Sequence, residues 1–240
     1  MTSLSDLDLL QHYASGGVAA EKAFTTIVER HLNLVYSVAR RQVRSPQLAE
    51  EVAQSVFVDL ARNARRIDAG APLAAWLHIV SRRTAVDVVR REARRQAREQ
   101  AVATLADMKP SPSPWSAIEP LLDEAVESLP PADRAAILLR FFENKSLRDV
   151  GAALGTSDDA AQKRVSRALE QLRAFFLRRG VAVTAAGLAA DMSANALQSA
   201  PLSLFASISS ASAAVAFGTV SVPLLANVPL SVTFDRTVVP

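Results

Sequence analysis

Amide, ammonium, hydroxyl and guanidinium groups recur at helical spacing between residues 158 and 176. Gln162, Lys163, Ser166 and Arg167 share one side of such a helix, and Arg173 follows near its end. The apolar residues fall on a separate stripe, formed by Val165, Leu169, Leu172 and Phe176. A helix that packs through one stripe and shows amides and cations outward has the chemistry needed to read base edges in the DNA major groove.

A shorter helix and a turn precede this segment and would hold it in place. Residues 146–154 carry apolar residues at helical spacing, with small residues where two helices must approach closely. Gly155 predicts the end of that helix, because a left-handed turn costs glycine little. Thr156, Ser157 and Asp158 offer oxygens that can cap the next helix. The pattern indicates a helix-turn-helix; a helical hairpin with a solvated charged face is the alternative.

Positive charge is placed unevenly along the 240 residues, although the formal net charge is only +3. Seven arginines fall between residues 82 and 98, opposed by Asp87 and Glu92. A second group, opposed by Glu170, consists of Lys163, Arg164, Arg167, Arg173, Arg178 and Arg179. Two basic helical stretches indicate a polyanion contacted at two places, and two solvated arginine-rich faces are the alternative.

The residue inventory argues against an enzyme. The absence of cysteine excludes disulfides, a thiolate nucleophile and cysteine-based zinc sites, and it fits a reducing cytoplasm. His12, His31 and His78 stand far apart without ligand spacing, so no metal is expected. We find no glycine-rich phosphate loop, histidine-centred triad or convincing carboxylate pair, and therefore predict neither catalysis nor a cofactor. Residues 1–11 lack the pattern of a signal peptide.

The chain divides into four segments and is expected to be all-α, since alanine is abundant and aromatic residues make up only 5%. Residues 1–99 predict one helical domain, with Ser45 and Pro46 opening its acidic helix. Residues 100–116 form a Pro/Ser-rich linker, expected to be extended. Residues 117–179 predict a second small helical domain that contains the helix-turn-helix. Residues 180–240 form a tail rich in Ala, Ser, Val and Leu.

The tail has no charged residue from Met192 to Phe234. Its stretch from Ala200 to Ala226 is long enough to span a membrane, but many serines and Pro223 weaken that interpretation. We favour a poorly ordered or loosely packed tail over contact with a membrane.

Residues 21–179 resemble a bacterial RNA polymerase sigma factor of the extracytoplasmic-function (ECF) type. The segment from Ala49 to Phe57 is similar to the acidic helix of region two, which in the family docks on the largest polymerase subunit. The resemblance implies that core polymerase binds the side chains of Glu50, Glu51, Gln54 and Asp59. An exposed acidic strip beside an apolar stripe fits a basic partner.

The helix that begins near Trp76 and Leu77 resembles the segment that opens and reads the minus-ten promoter element. The resemblance implies contacts to an unpaired strand by Arg82, Arg83, Arg90 and Arg91, whose charges suit phosphate neutralisation. Arg83 stands where the family often has asparagine, so the base preference cannot be carried over. Trp76 falls on the apolar stripe and is expected in the core.

The helix-turn-helix resembles region four, which in the family binds the minus-thirty-five element. The match implies that Gln162, Lys163, Ser166 and Arg167 lie at or near base edges. It implies phosphate contacts by Arg148, Arg164 and Arg173, which set register rather than sequence. Gly151 stands where the family usually has alanine, which costs about 1 kcal/mol of helix propensity but preserves close packing.

The resemblance implies a cytoplasmic transcription initiation factor whose partners are core RNA polymerase and promoter DNA. Extensions on this family can hold the factor inactive or couple it to a signal. We therefore expect residues 180–240 to regulate it, by contacting a partner such as an anti-sigma factor, the membrane or the body of the protein. A stand-alone helix-turn-helix regulator is the alternative function, although it leaves the acidic helix unexplained.

Overall fold

The computed structural model describes residues 4–67, 72–99 and 114–216, and all regular structure within them is helical. This confirms the all-α prediction. The helices of the N-terminal domain are α1 (Asp6–Ser15), α2 (Val18–Val43), α3 (Pro46–Asn63), a 3-10 turn (Ala64–Arg66) and α4 (Leu73–Glu99). Ser45 caps α3 through its hydroxyl, which accepts a hydrogen bond from the Leu48 amide, and Pro46 occupies the first helical position as predicted.

The core of the N-terminal domain lies where α2, α3 and α4 pack together. Phe24 and Phe57 meet edge to face with ring centroids 6.5 Å apart, and the Leu77 side chain is fully buried. Trp76 is buried as well, which confirms its assignment to the core. Apolar residues at helical spacing in α3 form a stripe that is buried in full: Ala49, Val52, Ala53, Val56, Phe57 and Leu60.

The helix-turn-helix domain follows the linker. Its elements are α5 (Pro114–Ile118), a 3-10 turn (Glu119–Leu121), α6 (Leu122–Glu127), α7 (Pro131–Ile137) with a π-helical continuation (Leu138–Phe142), α8 (Leu147–Ala153) and α9 (Asp158–Arg178). Pro114, predicted as extended linker, instead begins α5, where proline is tolerated because a helix needs no amide hydrogen bond at its first position. Residues 100–113 of the predicted linker lie outside the described residues.

The turn between α8 and α9 has the predicted chemistry. Gly155 adopts a left-handed conformation with φ of 64°, and its neighbour Thr156 donates from its amide to the Gly151 carbonyl at 2.8 Å. The Ser157 hydroxyl caps α9 by accepting from the Ala160 amide at 3.3 Å. At Gly151, an added Cβ would lie 2.8 Å from the carbonyl oxygen of Thr156. The backbone of the turn therefore packs directly on α8.

Gly151→Ala is expected to lower the free energy of unfolding, although alanine is the better helix former. The new methyl group would overlap turn backbone that has no room to withdraw, and overpacking of this kind costs about 1–3 kcal/mol. Urea unfolding measures the effect. The matched control is Ala152→Ser at the exposed neighbouring position, expected to stay within about 0.5 kcal/mol. An alanine variant as stable as the parent would contradict the close approach.

The first part of the tail departs from the expected loose packing. Residues 185–195 and 202–216 form α10 (Ala185–Asn195) and α11 (Leu202–Ala216). Their buried apolar side chains are Leu188, Met192, Ala196, Leu204 and Ile208. Composition alone did not show this, because the apolar surface that these side chains cover is supplied by helices far away in sequence. Among the described helices none is both long and apolar enough to cross a membrane, and residues 217–226 of the candidate span lie outside the described part.

Candidate nucleic-acid interface

The outward face of α9 carries the side chains predicted to read bases. Gln162, Lys163 and Ser166 are exposed, whereas Val165 and Leu172 on the apolar stripe are buried. Burial of the apolar stripe fixes the rotation of α9 on α7 and α8, so the polar face has one orientation. The arrangement presents an amide, an ammonium group and a hydroxyl together at the surface, as major-groove reading requires.

Arg167 shares this face, but its guanidinium is held by a carboxylate. Nε and one terminal nitrogen donate to the two oxygens of Asp133 at 3.1 and 2.6 Å. Asp133 is only 2% exposed at its side chain whereas Arg167 is 61% exposed, and this pair raises the pKa of Arg167. A bidentate pair orients the planar guanidinium. Arg167 thus ties α9 to α7, and its contact with a base stays a prediction.

The three arginines predicted to hold phosphates have different surroundings. Arg148 is exposed on α8, and Arg164 is half-buried on α9. Arg173 donates from Nε to Glu170 at 2.7 Å, an exposed pair one turn apart. Exposed pairs of this kind contribute little to stability, so a phosphate can compete for Arg173.

The basic face of α4 splits into a half-buried part and an exposed part. Arg82 and Arg83 are half-buried, whereas Arg90 and Arg91 are exposed near the basic end of the helix. Arg82 forms an ion pair with Glu127 of α6, in the other domain. One of the four arginines predicted to hold the minus-ten strand is therefore engaged by the helix-turn-helix domain in this conformation.

The acidic residues of α3 are not equally accessible. Glu51 and Gln54 are exposed, whereas Glu50 and Asp59 are half-buried. Burial raises the pKa of Asp59, and the nearby positive charge of Arg62 offsets only part of that effect. The Gln54 side-chain amide donates to the hydroxyl of Ser207 in α11 at 3.2 Å. The predicted polymerase-binding surface thus already contacts the tail.

A buried ion-pair cluster, not predicted from the sequence, joins the two domains. The guanidinium of Arg41 in α2 donates to both oxygens of Asp123 in α6, at 2.9 and 2.8 Å, and Nε2 of His78 in α4 lies 3.1 Å from the same carboxylate. Arg41 and Asp123 have no exposed side-chain surface. Burial alone raises the pKa of Asp123, but Arg41 and His78 outweigh it and hold that pKa well below its ordinary value. One signal was available: His78 interrupts an apolar helical run.

A second histidine lies between carboxylates from different parts of the chain. Nε2 of the buried His31 lies 2.9 Å from Asp6, and its Nδ1 lies 3.6 Å from Glu143 beyond the π-helical segment. Arg30 and Lys145 pair with the outer oxygens of these two carboxylates. This chemistry is that of an ion-paired cluster, because two cations already occupy the carboxylates that a metal would need.

These features define the class of protein. A helix-turn-helix with an outward polar face, a separate basic helix and a separate acidic helix make up an all-α protein with the features of a nucleic-acid-binding protein. Basic helices on two domains, rather than one, fit a protein that meets a polyanion at two places.

Comparison with known proteins gives the family. The model described as Sigma-70 region 2 matches residues 27–95, and that described as Sigma-70, region 4 matches residues 120–172. RNA polymerase sigma factor CarQ of Myxococcus xanthus is 33% identical over 156 residues, which are 64% of this chain and 89% of CarQ. ECF RNA polymerase sigma factor SigE of Mycolicibacterium smegmatis is 30% identical over 172 residues, 69% of this chain and 66% of SigE. The solved structure of CnrH in complex with the cytosolic domain of CnrY has a TM-score of 0.35 and 24% identity, and it covers 71% of this chain and 96% of CnrH.

The chain belongs to the sigma-70 family and is a sigma factor of the ECF type. It binds core RNA polymerase and directs it to promoter DNA, which confirms the predicted function over the stand-alone regulator. The family consists of transcription factors without catalytic activity of their own. Neither family match extends into the tail.

Proposed function

We propose that this sigma factor binds its partners through three separate surfaces, on α3, α4 and α9. Region two, taken as residues 1–99, binds polymerase through α3 and the minus-ten strand through α4. Region four, taken as residues 117–179, binds the minus-thirty-five element through α9. Residues 100–116 link them, and residues 180–240 form an extension with a regulatory role. The supporting observation is the exposed face of Gln162, Lys163 and Ser166 above a buried helix-turn-helix core.

The individual contacts are those that the resemblance to the family implies, and the charges of the side chains support them. In α3 the polymerase would meet Glu50, Glu51, Gln54 and Asp59. In α4 the melted strand would meet Arg82, Arg83, Arg90 and Arg91. On region four the bases would meet Gln162, Lys163, Ser166 and Arg167, and the phosphates would meet Arg148, Arg164 and Arg173. Phosphate contacts provide affinity that falls with salt, and base contacts provide specificity.

The chemistry of RNA synthesis belongs to the polymerase, and we propose no catalytic step for this chain. Its site of action is the cytoplasm, since both partners, core polymerase and promoter DNA, are there in bacteria. An anti-sigma factor is a further candidate partner, and membrane contact by the tail is the less favoured possibility.

Run-off transcription with core polymerase and a genomic promoter library tests the proposed function. We expect transcripts from specific promoters and little tight duplex binding by the chain alone. If the folded chain bound duplex DNA tightly and specifically by itself but failed to bind core enzyme, the stand-alone regulator would replace the sigma factor. Circular dichroism confirms that the chain is folded in either case.

A further inference from the structure

The described part of the tail contacts both domains. Helix α10 packs on α9 of region four, and α11 packs on α2 and α3 of region two. Each contact is anchored by fully or almost fully buried side chains, Leu188 and Met192 from α10 and Leu204 and Ile208 from α11. Residues 181–210 therefore form one strap with an apolar anchor on each domain.

Polar side chains of α2 hold the segment between α10 and α11 at specific positions. The Ser37 hydroxyl accepts from the Gln198 amide at 2.6 Å and donates its one hydrogen to the Asn33 carbonyl of its own helix at 2.5 Å. Asn33 accepts from the Ala200 amide at 3.0 Å, and Arg41 donates to the Ala196 carbonyl at 2.7 Å. The bond to the Ala196 carbonyl is buried and the bond from the Gln198 amide is partly buried, so α2 supplies partners for strap backbone groups that water reaches poorly. Such matched contacts indicate a built docking site rather than an incidental collapse.

The docked strap coincides with two features that conflict with an active sigma factor. Gln54, on the proposed polymerase-binding face, is hydrogen-bonded to Ser207 of α11. Arg82, on the proposed minus-ten face, is paired with Glu127 of region four. Elements near minus ten and minus thirty-five are separated by about 25 base pairs, or about 85 Å of duplex. A compact protein of about 200 residues has a radius of gyration of only about 16 Å. The two domains must separate to reach both elements.

We propose that residues 181–210 are an intramolecular latch that, together with the buried Arg41–Asp123 pair to which it is hydrogen-bonded, holds regions two and four together and covers part of the polymerase-binding helix, so that the factor binds core polymerase only after the latch is released. This inference rests on the proposed function of α3 and α9. The latch competes with polymerase for region two, and the apparent affinity for polymerase is reduced by the fraction of chains that are open.

Two full-length variants of α11 test the latch. Leu204 is 1% exposed and faces region two, whereas Leu202, in the first turn of the same helix, is 90% exposed. Leu204→Asp is expected to release the strap and to strengthen binding to labelled core polymerase by at least about tenfold, with a parallel rise in run-off transcripts. Leu202→Asp adds the same charge at a solvent-exposed position and should behave like the parent. Thermal melts monitored by circular dichroism show whether regions two and four stay folded.

A reversible lock tests the same idea in the opposite direction. The chain contains no cysteine, so Ser37→Cys combined with Gln198→Cys introduces a single pair where the Ser37 side chain already contacts the backbone of Gln198. The oxidised protein should lose core binding, and dithiothreitol should restore it. This measurement also decides the matter if Leu204→Asp unfolds the protein.

The outcomes separate the latch from the sigma function. If Leu204→Asp and the oxidised double variant both bind core polymerase like the parent, the latch is overturned while the sigma function stands. If no form, reduced or released, binds core polymerase, the proposed function fails and the latch fails with it.

Discussion

Asp123→Asn is expected to lower the free energy of unfolding by about 3–5 kcal/mol, because it leaves the buried guanidinium of Arg41 without its counter-charge. Asparagine keeps the size of the side chain and one acceptor oxygen, so the loss reports the charge rather than a cavity. Nε2 of His78 loses its carboxylate partner in the same step. Urea unfolding of the full chain at neutral pH measures the change.

Two further variants separate the contribution of the buried Arg41–Asp123 pair from other effects on stability. Glu124→Gln removes the neighbouring carboxylate on α6, whose exposed pair with Arg179 should contribute only about 0.2–1 kcal/mol. Replacing the pair by apolar residues, as Arg41→Met with Asp123→Leu, should recover a large part of the loss, since no unpaired charge is left buried. Equal effects of Asp123→Asn and Glu124→Gln would mean that the cluster is not buried in solution.

The Arg41–Asp123 pair should make the free energy of unfolding depend on pH. The pKa of Asp123 is lower in the folded protein than its value of about 3.9 in an unfolded chain, so its contribution is fully present above that unfolded pKa. The contribution is lost as the pH falls through the folded pKa. The stability difference between the parent and Asp123→Asn should therefore be constant from about pH 8 to about pH 5 and shrink below about pH 4. A difference that grew on acidification would contradict the low pKa of this carboxyl.

Gln162→Ala combined with Lys163→Ala is expected to reduce promoter-specific transcription on the order of a hundredfold, with binding to core polymerase unchanged. Both side chains are exposed on α9 and pack against nothing in the core, so their loss should leave the fold intact. Each good base contact contributes about 1–3 kcal/mol of discrimination, and two such losses combine to this order. Run-off transcription and core-binding titrations, made side by side, separate the two effects.

The matched control for this double variant is Arg178→Ala, which removes an exposed cation from the end of the same helix where no base contact is proposed. It should weaken all promoters slightly and equally, as expected for a charge that acts through phosphates at most. If the control and the double variant lowered transcription to the same extent, the helix would contribute charge alone, and the assignment of base-reading residues would be wrong.

The helices and the turn of region four could be predicted from local sequence, because the residues that determine them are neighbours in the chain. Ser157 caps the helix that begins at Asp158, and Gly155, two residues before Ser157, adopts the left-handed conformation of the turn. Apolar spacing likewise located the stripe of α3 that is buried. The prediction of close packing at Gly151 also held, since the turn backbone leaves no room for a Cβ.

Family membership, the helical class and the outward face of α9 were thus determined by the sequence, through periodicity and motifs that are each local in the chain. Only the tertiary structure decided where the domains and the tail meet. Arg41, His78 and Asp123 are separated by up to 82 residues, and Ser37 meets Gln198 across 161 residues. No local pattern encodes such pairings, because they depend on which apolar faces find each other when the chain collapses. For that reason, the packing of regions two and four against each other and against the strap is visible only in the tertiary structure.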